Sequence, residues 1–134
     1  MKRKNVSAVS PYADSFGFSR AVRAGDHVFV AGCAAIGPDG KNVGVGDPAG
    51  QARRCFQVIE KALGEAGASL AEVVLTRIFL VDPAHADAVA GVHGEVFGEV
   101  RPVTSAVVVA GLLHPEWLIE IEAHAIVGAK PTSS

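Results

Sequence analysis

Three short stretches of the chain hold the residue types that could do chemistry. In "IEIEAHAIV", Glu120, Glu122 and His124 fall two apart, so on a strand they share one face. A Glu-x-Glu-x-His row is a conceivable metal set, but no further ligand cluster joins it and no metal is expected. The other work open to these side chains is pairing, since buried charges need partners. Arg77, which interrupts the apolar face of "VVLTRIFLV", is one candidate, and basic groups of a second subunit are another.

The second stretch is "GEVRPVTSAVVVAGL", residues 98–112, where a charged Arg-Pro step runs into an apolar strand that begins with Thr104 and Ser105. Arg101 lies three residues before Thr104, so a regular strand would send the two to opposite faces. Pro102 can break that regularity and let the long side chain swing in. The competing reading pairs Arg101 with Glu99 or solvent at the end of a helix, where a cation is favoured. Thr104 is either a hydroxyl offered to an anionic or carbonyl ligand or an ordinary β-branched strand residue. The third set is scattered. Cys33 follows Gly32, yet a nucleophilic thiol needs a base and a lowered pKa, and neither is visible, so Cys33 reads as a small buried residue. His93 reads first as a helix-edge histidine satisfied by a hydrogen bond; the competing reading is a polar pocket wall whose near-neutral titration suits proton transfer.

The elements that must position these residues follow from pattern. "FGFSRAVRAGDHVFVAGCA" reads as a β-hairpin turning at residues 23–26, and "IGPDGKNVGVGDPAG" as a Gly/Pro/Asp connecting loop. Asp47 before Pro48 is an N-cap with proline at the first helical position. Ala52, Phe56, Ile59, Leu63 and Ala66 then recur at helical spacing until Gly67 closes the helix. "AEVVLTRIFLVD", apolar on both faces, should be a central strand. Asp82-Pro83 repeats the cap signal ahead of a second helix through Val89, Val92 and Val96. "TSAVVVAGL" is a further strand. The last, "WLIEIEAHAIV", alternates strictly, with one dry and one ionisable face.

The order ββαβαββ predicts an α/β two-layer sandwich, a mixed sheet with two helices on one face. The other face carries charges beside apolar side chains too numerous to leave wet, which marks an interface and implies a closed homo-oligomer. At 134 residues the chain is read as one domain, spanning 15–128, between a flexible N-terminal tail (1–14) and a C-terminal tail (129–134). "MKRKNVSAVS" has no apolar segment behind it and is read as a frayed tail rather than a signal peptide. No apolar run approaches the ~20 residues of a membrane span. A net charge of −2 offers no basic footprint for nucleic acid. Two cysteines, with neither a disulfide framework nor a zinc spacing, fit a reducing, cytoplasmic setting.

Taken in order over roughly residues 15–128, "FGFSRAV", "GDHVFVAG", "QARRCFQVIEKALGEAGASLAEVV", "TRIFLVD", "RPVTSAVVVAGL" and "IEIEAHAIV" resemble the Rid (YjgF) family, whose older labels include endoribonuclease L-PSP. The resemblance implies a chorismate-mutase-like fold and homotrimers whose sheets form a central barrel, with small-molecule clefts between subunits. It also implies hydrolytic deamination of reactive imino and enamine acids without metal or cofactor. In the deaminases an arginine two residues after the proline clamps the substrate carboxylate, and a glutamate on the last strand holds the attacking water. The glutamate corresponds to Glu120; the arginine position is Thr104. A charge-assisted hydrogen bond is worth ~1.5–3 kcal/mol against ~0.5–1.5 for a neutral one, so the exchange predicts altered substrate preference. Phe18 stands where the deaminases have tyrosine, Ala106 replaces a common cysteine, and Cys33 and His93 also occupy pocket positions. The expected ligand site therefore comprises Glu120, Thr104, Arg101, Phe18, Gly32, Cys33, His93 and Ala106. The alternative is a non-catalytic ligand-binding or regulatory homotrimer.

Overall fold

The computed structural model describes residues 1–131. Its centre is a six-stranded sheet of order β1-β2-β3-β6-β4-β5, built from β1 (Arg3–Val6), β2 (Ala21–Ala24), β3 (His27–Cys33), β4 (Val73–Leu80), β5 (Val103–Val108) and β6 (Ile119–Ile126). Neighbours are antiparallel except β4 and β5, which run parallel and are joined by helix α3 (Ala86–Phe97). A one-turn helix α1 (Ala13–Phe16) precedes β2, and the long α2 (Pro48–Glu65) links β3 to β4.

Local chemistry explains most of these boundaries. Asp47 accepts a hydrogen bond from the Gly50 N–H and Pro48 opens α2, satisfying donors that have no partner inside the helix. The helix closes with Gly67 at φ +83° and the paired bonds Gly67 N–H to Gly64 O and Ala68 N–H to Leu63 O, a Schellman ending. Asp82 accepts from the Ala84 N–H, but the turn it caps, Pro83–His85, is a 3₁₀ turn that only then gives way to α3.

Strand β6 lies between β3 and β4, so its alternation organises both layers. Ile119, Ile121, Ala123 and Ala125 are buried in one core with Phe56, Ile59 and Leu63 of α2 and Val89, Val92 and Phe97 of α3. Both helices thus cover one face, as the pattern predicts. Glu120, Glu122 and His124 point to the other face. There Arg77 donates to Glu122 at 2.9 Å, the partner anticipated for that row, and His124 Nε2 lies 2.9 Å from His27 Nδ1.

Two expectations need correction. The segment read as a frayed N-terminal tail supplies β1, whose residues pair with Ala21–Ala24 along the sheet edge; a short polar strand carries too little apolar pattern to announce itself. The first half of the expected hairpin is not extended from Phe16: Gly17, left-handed at φ +72°, terminates α1, and strand geometry starts only at Ala21. At the C-terminus, residues 129–131 are exposed and irregular, while 132–134 of the anticipated tail lie outside the described residues.

Candidate functional site

Glu120 opens into a cavity of about 360 Å³ whose walls include Tyr12, Phe18, Arg20, Gly32 and Trp117. Three features aim its carboxylate there. The even positions of β6 face away from the helices. A register shift between Val30 and Cys33 in the β3–β6 pairing is a bulge that bends β3. At the bulge sits Gly32, where a Cβ would fall 2.8 Å from Glu120 Oε2, so the missing side chain is the space the carboxylate occupies.

Arg20 fixes the bulge from below. Only 7% exposed, it donates through Nη1 to Gly32 O at 2.8 Å and Ala31 O at 3.2 Å, with its guanidinium 5.6 Å from the centre of the Phe18 ring. Burial pushes the Glu120 carboxyl up, Arg20 pulls it down and Glu122 adds to the rise; the net direction is up. Among the described residues none donates a hydrogen bond to this carboxylate, which leaves its oxygens to solvent or a ligand. Trp117 and Tyr12 close the far wall, with rings edge-to-face at 5.7 Å; the indole N–H donates to Asn42 Oδ1 at 2.8 Å and the Tyr12 hydroxyl to Leu113 O at 3.2 Å. The arrangement can hold a small polar molecule against an aromatic wall and present it to a carboxyl that exchanges protons more readily near neutrality than an ordinary one.

The sequence-derived residues divide into separate groups. Phe18, Gly32 and Glu120 meet in this cavity. Thr104 and His93 meet elsewhere, on the helix side of the sheet, around Thr76. Ala106, exposed on β5 opposite Ile78, shares the Thr104 side. Cys33 does not line the cavity. It is fully buried, its thiol donates to Ala31 O, and burial pushes it up to about 11, so it is a neutral packing group. Arg101 adopts φ +54° in the loop before β5, a conformation non-glycine residues rarely take. Among the described residues no hydrogen bond or ion pair joins it to Thr104, Glu120 or Glu99, so neither reading of it is met within one protomer. The sequence reasoning missed Arg20, Tyr12, Trp117 and Thr76. Arg20 left a trace, a charge two residues after Phe18 in a strand-like run; the others look like ordinary core or loop residues.

Comparisons with known proteins place this geometry. Residues 8–127 match the family described as Endoribonuclease L-PSP. An uncharacterized protein of Streptomyces coelicolor, SCO2049, is 40% identical over 126 residues, covering 94% of this chain and 93% of that protein. The 3-aminoacrylate deaminase RutC of Acinetobacter baylyi is 40% identical over 101 residues, 75% of this chain and 79% of its own length. Among solved structures, Rv2704 of Mycobacterium tuberculosis, a member of the YjgF/YER057c/UK114 family, superposes with a TM-score of 0.84 at 45% identity over 94% of this chain and all of that one. The YjgF product of E. coli superposes at 0.81 with 26% identity, over 92% and 98% of the two chains. The sandwich is the chorismate-mutase-like fold that the motifs implied.

Proposed function

We propose, from the premise that this chain belongs to the endoribonuclease L-PSP (YjgF) family, that it is a hydrolytic deaminase of small reactive imines or enamines, acting in clefts between the subunits of a homotrimer. The observation that carries the reading is the open carboxyl of Glu120, raised by burial and set against Gly32, in a cavity with an aromatic wall. Glu120 orients water, takes its proton as oxygen adds to the C=N carbon and hands that proton to the nitrogen, so that the adduct carries a hydroxyl and an amino group and the carboxylate is restored. An enamine must first gain a proton at carbon to present that bond. The adduct then loses ammonia and leaves a carbonyl. Phe18 and the Gly32 backbone position the substrate from one subunit, Thr104 and its neighbours on β5 from the next, and Arg101 is available to the anionic end.

A neutral hydroxyl at position 104 disfavours substrates that depend on a bidentate carboxylate clamp. The same exchange favours the second reading, a trimer that binds small ligands without turning them over. RNA cleavage finds no support in the charge balance of −2. The name of the Acinetobacter relative makes 3-aminoacrylate a rational trial substrate beside 2-iminopropanoate and 2-aminoacrylate.

The test is to generate each compound enzymatically and follow its decay with and without the protein. Acceleration that falls about 10²-fold in Glu120→Gln supports the enzyme. Saturable binding of small acids with no acceleration of any of the three supports the binding trimer. Thr104→Arg, which supplies the missing carboxylate fork, is expected to lower the KM for the 2-imino acid.

A further inference from the structure

A second polar cluster lies outside the Glu120 cavity, beneath the exposed sheet edge. Its centre is Thr76 of β4, fully buried, with Oγ1 2.9 Å from His93 Nε2 and 2.9 Å from Thr104 Oγ1. Thr104 Oγ1 is 3.4 Å from the same imidazole nitrogen and 3.2 Å from Pro102 O. Valine would fill the Thr76 position with the same shape and no polar atom to desolvate, so packing alone does not call for a hydroxyl there. A hydroxyl has one proton to give and lone pairs to accept with, which allows the chain two orders. In the outward order, His93 Nε2–H donates to Thr76, Thr76 to Thr104 and Thr104 to Pro102 O. In the inward order, Thr104 donates to Thr76 and Thr76 to a bare Nε2, and the outer lone pairs of Thr104 are turned to the exposed edge.

We propose that His93, Thr76 and Thr104 form a proton relay, through which a substrate held at the β5 edge exchanges protons with the His93 imidazole. The inference rests on the deaminase reading for its substrate, and it assigns the relay to the second half of that reaction. After water has added, the adduct carries a hydroxyl and an amino group on one carbon. Its hydroxyl proton passes to Thr104 Oγ1, the Thr104 proton to Thr76 and the Thr76 proton to His93 Nε2. The freed O–H electron pair becomes the second bond of the carbonyl. The C–N bond breaks with its pair on nitrogen, and the reverse transfer delivers the proton there. Ammonia departs, His93 is neutral again, and nothing is oxidised or reduced.

The surroundings suit a neutral ring. His93 packs between Phe56 and Phe97, its centroid 5.7 and 4.9 Å from theirs, and burial lowers its pKa from the ordinary histidine value. Among the described residues no charged partner holds the imidazolium. On α2 and α3, Arg53 and Glu95 pair with each other at 3.7 Å, each more than half exposed. The Arg77 of β4 is engaged by Glu122 on the opposite sheet face, and β5 has no ionisable side chain.

Two measurements decide the proposal. Thr76→Val keeps the shape and both outer groups but cuts the path; its kcat is expected to fall about 10²-fold with KM unchanged, and the limb of the kcat–pH profile due to His93 to vanish. Thr104→Val, at an exposed site, should lower kcat to the same extent, with KM raised as well because this hydroxyl also meets the substrate, and Thr104→Ser should restore the rate. Wild-type kcat and an unaltered pH profile in the two valine variants would overturn the relay. A wild type inert on every imine supplied defeats the deaminase reading instead, and the relay is then judged by nitrogen NMR of the His93 ring. Coupled hydroxyls require Thr76→Val and Thr104→Val each to shift the ring's titration and tautomer balance; an unmoved titration in both sinks the relay whatever the activity.

Discussion

Glu120 titrates under opposed influences, and the sign of their sum has a consequence for stability. Burial outweighs Arg20, so the folded carboxyl sits above its ordinary value, near 4.3 for an unfolded chain (approximately). A group raised on folding contributes stability that is complete below the unfolded pKa and is lost as pH rises through the folded one. Glu120→Gln removes that loss. Its melting temperature is expected to exceed the wild type at pH 7 and to match it at pH 4, read by calorimetry, although its turnover is lower. Gly32→Ala probes the same atom pair from the other side. A Cβ 2.8 Å from Oε2 displaces a side-chain end rather than backbone, so the fold should melt close to wild type while turnover falls towards that of Glu120→Gln.

At the scale of elements, the strand that presents Glu120 is anchored at its far end by Glu72. The turn Leu70–Glu72 before β4 brings this carboxylate to accept from the Gly128 N–H, just past β6, and from the Ser69 hydroxyl at 3.1 Å. Those bonds, the Gly128 one first, hold its carboxyl below the usual range. A depressed carboxyl stabilises above the unfolded pKa and ceases to as pH falls through the folded value. Glu72→Gln should therefore lose about 1 kcal/mol at pH 7, less than a charge-assisted bond in a dry site because exposed residues 129–131 wet this rim. The deficit should shrink in acid, as denaturant melts at pH 7 and pH 3 would register.

For the molecule as a whole, the decisive surface is the sheet face without helices. Phe29 is 49% exposed, Val107 48% and Val103 69%, and register places Val103 beside Leu75 and Val107 beside Phe79 on the face where Arg77 meets Glu122. Apolar side chains spread over one flat face, with Arg77 and Glu122 already paired to each other, suit association with further copies of the chain. Light scattering should return about three times the 13.8 kDa chain mass, and Phe29→Asp, which places an unpaired charge beside His124, should reduce it to a single chain. A wild type that runs as one chain removes the cleft from the proposed function.

Periodicity and caps were legible without coordinates. The alternation of residues 119–127, the Asp47-Pro48 and Asp82-Pro83 signals and the spacing of Phe56, Ile59 and Leu63 specify strands, helices and the dry face, because each is imposed by backbone geometry within a few residues. The same alternation put Glu120, Glu122 and His124 on one face. Which residues meet across the fold was not legible. That Arg20 grips the bulge at Gly32, that Cys33 turns into the core, and that Thr76 gathers His93 and Thr104 on the side away from Glu120 depend on strand order and on one register shift. Those are set by the packing of segments far apart in sequence, and a single-residue slip in register sends every later side chain to the opposite face.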